Sequence, residues 1–95
     1  MQYLVAGILK PDSDGRLIAL HNEFNEHLSQ QTPKLSLFGV LRDKQGKRTG
    51  YLAFINADSF GEAEAFLEAS PFFQNDLYER VEVAEFSSEV GEFAD

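Results

Sequence analysis

Asp58-Ser59-Phe60-Gly61-Glu62-Ala63-Glu64-Ala65-Phe66-Leu67-Glu68-Ala69 leads into Ser70-Pro71-Phe72-Phe73 and, after a short polar turn, into Leu77-Tyr78-Glu79-Arg80-Val81-Glu82-Val83-Ala84-Glu85-Phe86. This stretch reads as a helix, a proline-bounded turn and a last strand. Ser59 and Glu62 have the spacing of a capping box, in which the Ser side chain takes an orphan amide and the Glu reaches back to the cap. Phe60, Ala63, Phe66 and Leu67 then form a buried stripe. Pro71 disfavours helical geometry at Ser70 and stops the helix there. From Leu77 onward the pattern alternates, with Val81 and Val83 on one face and Glu82, Ala84 and Phe86 on the other.

Upstream lies the surface this unit packs against. Tyr51 to Ile55 and Leu35 to Leu41 are apolar runs joined by Arg42-Asp43-Lys44-Gln45-Gly46-Lys47-Arg48-Thr49-Gly50, a polar connection with two glycines that reads as a hairpin. Before them, Leu17, Leu20, Phe24 and Leu28 recur at helical spacing, and Gln31-Thr32-Pro33 ends that helix after about four turns. Tyr3 to Leu9 is apolar on both faces, which suits a central strand. Strand, helix, strand, strand, helix, strand is the ferredoxin-like order, an α+β fold in which two helices cover one face of a four-stranded antiparallel sheet. The other face then needs a cover. A second copy packed sheet to sheet, giving a homodimer, is expected.

The chain has 95 residues, enough for one domain over 1–95 and too few for a second core. Sixteen acidic against eight basic residues leave a formal charge of −8, which argues against nucleic acid or an anionic membrane surface as partner. Cysteine is absent, so disulfides, a thiolate nucleophile and a Cys-based metal site are excluded. The first ten residues show neither a basic leader region nor an apolar span, and a cytoplasmic location is expected. Glu89 to Asp95 reads as an acidic tail.

His21 projects beside Leu17, Phe24 and Leu28 and is expected to face the sheet. The plainer reading is a core histidine with one hydrogen bond, and from the sequence it outweighs the functional one, a general base or ligand-orienting group. His27 falls at the margin of the stripe and reads as a surface residue. Six positions separate the two, so they do not share a helical face and a zinc pair is not expected. Ser70 could present its hydroxyl into a crevice or simply cap a turn, and Asn75 and Asp76 suit local turn geometry. Arg42, Lys44, Lys47 and Arg48 are either an anion patch or a solvated hairpin tip, the latter being favoured. Gly39, within a strand, marks either close approach of a ligand or backbone, or a bulge. No Gly-x-Ser-x-Gly elbow and no phosphate loop is present.

Taken together, the helix bearing His21, Phe38-Gly39-Val40-Leu41, Ala57-Asp58-Ser59, Ser70-Pro71-Phe72 and Leu77-Tyr78-Glu79-Arg80-Val81-Glu82-Val83 resemble the YciI-like family (YCII-related domain) of the dimeric α/β-barrel superfamily. The resemblance implies a dimer with a crevice at the sheet and a His and Asp pair, without a well-defined general reaction. The leading reading is a pocket near His21, Ser70 and Asp76 for a small organic molecule, with no metal or organic cofactor. The resemblance places the family's helical His at His21. The family's Asp precedes Pro-Phe, a position held here by Ser70, and a Ser can neither hold an imidazolium as a carboxylate does nor act as a base at neutral pH. Asp76 stands where the family favours Gly and is expected to supply the missing carboxylate. The alternative to a ligand-transforming protein is a non-catalytic dimeric interaction or structural protein.

Overall fold

The computed structural model describes residues 1–30 and 33–91. The helix end expected at Gln31-Thr32 and the part of the acidic tail from 92 onward lie outside the described residues. Strand β1 (Gln2–Leu9) is central, flanked by β3 (Arg48–Asn56) and β4 (Tyr78–Phe86), with β2 (Lys34–Arg42) outside β3. All three pairings are antiparallel, and the ferredoxin-like order expected from the sequence is the order observed.

Two of the helical segments differ from expectation. The first is divided into α1 (Asp14–Ala19) and α2 (His21–Leu28), because Leu20, at φ −100° and ψ 6°, leaves the helical basin between them. The second is α3 (Phe60–Glu68), capped by the Ser59 side chain, which accepts from the Glu62 amide at 3.1 Å. Ser70-Pro71 ends it, and the chain then coils into one further turn, α4 (Pro71–Gln74). Its fixed-φ proline sits in the first turn, where a missing N–H costs nothing. The hairpin tip is held by the Asp43 carboxylate, which accepts from the amides of Gln45 and Lys47 at 2.9 Å each.

One sheet face meets the helices. Val5 lies opposite Ala53 and Val83, and with Tyr3, Ile55, Ala63, Phe66 and Leu67 it forms one buried cluster. A second cluster joins Leu17, Phe24, Tyr51, Phe72 and Leu77. There Phe24 stacks on Phe72 with ring centres 4.0 Å apart and planes 15° apart. Leu4, Ala6 and Ile8 point to the other face, where Leu4 pairs with Phe54 and Ala84, Ala6 with Leu52, and Phe54 with Leu37. Leu37 there is 48% exposed. Among the described residues, no helix is long and apolar enough to cross a membrane.

Candidate functional site

Between the helices and the sheet is a crevice walled by Phe24, Leu28, Phe38, Tyr51, Phe66 and Tyr78, with the backbone of β1 from Val5 to Gly7 as its floor. Its volume is about 20 Å³, the room a single water needs. Four of the residues lining this largely apolar space carry polar side chains: His27, Ser70, Tyr51 and Tyr78.

Each is positioned by local sequence. His27 stands on the last turn of α2, its ring 4.5 Å from that of Phe66. Nδ1 lies 3.4 Å from the Gln30 side-chain nitrogen, whereas Nε2 is buried without a hydrogen-bond partner among the described residues. Ser70 is extended because Pro71 follows it, and its buried Oγ accepts from the Phe72 amide at 3.3 Å. The Tyr78 ring lies over Gly7, where a Cβ would come within 2.4 Å of it, so only glycine lets the phenol settle on β1. Burial raises the Tyr78 pKa, the Ser70 side chain opposes that rise, and Tyr51 adds to it.

The three residues singled out in the sequence fall in three places. Ser70 is in the crevice. His21, expected to face the sheet, is exposed, with Nε2 3.2 Å from the side-chain nitrogen of Asn25. It borders an outer depression formed with Leu17, Ile18, Asn22 and Arg48. His27, read as a surface residue, is the histidine turned inward. The reason is phase: along α2 the two lie about 60° to either side of Phe24, and the flank that carries His27 is the one turned toward Phe66 of α3. Asp76 is 85% exposed and bound to Lys10 Nζ at 2.7 Å. That hydrogen bond and charge hold its carboxyl below the usual carboxylate range. The carboxylate expected to serve His21 is therefore committed to a lysine. Asp76 also adopts φ 60°, the left-handed geometry expected of this turn.

The model of the YCII-related domain matches residues 1–87 of the sequence. The chain belongs to this family. Among solved structures, this YCII-related protein is similar to a 5-chloro-2-hydroxyhydroquinone dehydrochlorinase from Burkholderia phenoliruptrix AC1100 in complex with 2,5-dihydroxybenzoquinone. That similarity has a TM-score of 0.81 at 21% identity and covers 92% of this chain and 94% of that one. An antibiotic biosynthesis monooxygenase follows at TM-score 0.53 and 15% identity, covering 93% and 98%. A conserved protein from Methanosarcina mazei Go1 gives 0.54 and 11%, covering 90% and 91%. At these identities the likeness establishes the fold alone, the ferredoxin-like four-stranded antiparallel sheet with helices on one face. No curated protein matches the sequence.

Tyr51 and Tyr78 had no signal that separates them from ordinary strand aromatics. For the YCII-related chain the buried imidazole has a measurable consequence. Burial lowers the His27 pKa below the ordinary 6.5, and the backbone of Phe66 opposes this from outside hydrogen-bond geometry. As pH falls below about 6.5 the unfolded chain takes up this proton before the folded one does, so stability is full above that pH and falls below it. Urea unfolding between pH 7.5 and 5.5 is expected to show that loss in wild type and a smaller one in His27→Gln. Equal losses in both would mean that His27 is not the titrating group.

Proposed function

We propose that this protein admits a small organic molecule to the mouth of the crevice and moves a proton on it, working as a homodimer. The observation that carries this reading is the buried Nε2 of His27, which has no hydrogen-bond partner among the described residues, in a crevice also lined by Ser70, Tyr51 and Tyr78. A buried polar atom without a partner demands an explanation, and a bound water or a ligand oxygen supplies one here. At neutral pH the depressed pKa keeps the imidazole unprotonated, as a general base requires. The role that the sequence assigns to His21 thus passes to His27, with Ser70 and Tyr78 orienting the reacting oxygen. The space fits one oxygen of a ligand, whose body would rest against the aromatic walls.

A second, non-catalytic reading is favoured by that same narrowness, since ligand pockets are usually more than tenfold larger. Thermal-shift screening with hydroxylated aromatics, quinones and hydroxy acids separates the two. The dehydrochlorinase, solved with a dihydroxybenzoquinone, motivates the ring compounds. Stabilisation of wild type that is lost in His27→Gln is expected. Equal stabilisation of both, or of neither across the panel, would favour the interaction protein. The apolar sheet face around Leu4, Leu52 and Phe54 supports the dimer, and light scattering at micromolar concentration is expected to give twice the chain mass. A monomer mass would overturn that half of the proposal.

A further inference from the structure

The outer depression between α1, α2 and the start of β3 is separate from the crevice and differs from it in chemistry. It measures about 330 Å³ and is bordered by Leu17, Ile18, His21, Asn22 and Arg48. Among the described residues no acidic side chain borders it, although the sequence has twice as many acidic as basic residues.

Arg48 is the centre of its charge. One guanidinium nitrogen donates to the Tyr51 hydroxyl at 3.1 Å, with the group 5.5 Å from the centre of the Tyr51 ring. Its cross-strand partner is Arg42, and a like charge placed opposite is unfavourable until an anion neutralises it. Among the described residues Arg48 has no ion pair, so most of the five donors of its fork are available. His21 adds a further donor. With the Asn25 amide nitrogen donating to Nε2, the ring proton belongs on Nδ1. Beside these polar groups Ile18 stands 78% exposed, and Leu17 closes the apolar side.

We propose that this depression binds a small amphiphilic carboxylate. The carboxylate lies across the Arg48 fork, where a planar oxyanion gains two parallel charge-assisted hydrogen bonds. His21 and Asn22 serve its outer oxygen, and an apolar body of about one ring covers Ile18 and Leu17. His21, which attracts attention in the sequence as an acid–base group, is in this role a binding residue.

The test is NMR titration of the full chain with sodium benzoate, using benzamide and inorganic phosphate as comparison probes. Saturable benzoate shifts are expected at Ile18, His21, Asn22 and Arg48, with both comparison probes at least about tenfold weaker, a difference of about 1.4 kcal/mol. Arg48→Gln is expected to weaken benzoate by a similar factor. Because Arg48 also supports the Tyr51 phenol, a second variant at an exposed site, Ile18→Asp, places a repelling carboxylate in the depression and is expected to weaken benzoate as well. Absence of saturation, equal affinity for benzamide, or unchanged affinity in either variant would overturn the site. Phosphate binding as tightly as benzoate would overturn the apolar contact, and benzoate shifts centred on His27 and Ser70 would assign the ligand to the crevice instead.

Discussion

Phe72→Ala is expected to lower the unfolding free energy by about 3–5 kcal/mol, the usual cost of deleting a buried aromatic ring. Phe72 is 2% exposed and stacked against Phe24, with the Tyr51 ring 5.4 Å away and the Tyr78 ring 6.4 Å away. It is held there by a one-turn helix whose own backbone is tied down, since the Leu77 amide bonds the Phe72 carbonyl at 2.9 Å and the Lys10 amide bonds the Leu77 carbonyl at 2.8 Å. The walls therefore cannot collapse far to fill the hole. For a chain of this size each kcal/mol moves Tm by about 4–8 °C, so a fall of at least about 12 °C is expected by calorimetry. Phe73→Ala, one residue along and 37% exposed, is the control and is expected to cost under about 1 kcal/mol. Similar losses at the two positions would show that the stacked rings are not the keystone of the second cluster.

Gly50→Ala is the other large expectation. A Cβ at Gly50 would stand 2.4 Å from the carbonyl oxygen of Gly7 and 3.3 Å from the Ile8 Cα, all backbone of the central strand. No side chain can swing away to relieve it. Relief requires β1 and β3 to part where Ile8 pairs with Gly50 and Gly7 with Tyr51, so a loss of about 3 kcal/mol is expected, at the upper end for overpacking. Gly39→Ala, where an added Cβ meets nothing within 4 Å, is expected to be nearly neutral. Denaturant titration of both variants checks this, and a neutral Gly50→Ala would mean that the β1–β3 ladder is more pliable than its geometry implies.

The two glycines also show what the sequence could convey. Gly39 drew attention as a strand glycine, yet neither close approach nor a pairing irregularity lies at it, the register shifts of β2 falling between Leu35 and Leu37 and between Leu41 and Arg42. Gly50 and Gly7, which do mark close approach, look in sequence like a hairpin end and a gap in an apolar run. The fold was legible because its determinants are local or periodic: the Ser59 cap, the Pro71 stop, and the two-faced apolar pattern of β1. The crevice was half legible. Ser70, one of its lining residues, drew attention through the proline that follows it, but His21 was expected to face the sheet and is exposed, because Phe24 has His21 and His27 on opposite flanks. Which flank packs depends on Phe66 arriving from α3, a tertiary contact that is not encoded within the helix. Asp76 was selected by position, and its commitment to Lys10, 66 residues away in sequence, is a tertiary fact.

Phe24 belongs both to the second buried cluster and to the wall of the crevice. The same ring thus contributes to the interior packing and to the dimensions of the crevice. Widening the crevice at this wall therefore removes packing from the core, so a roomier variant made at Phe24 is also a less stable one unless substitutions elsewhere compensate.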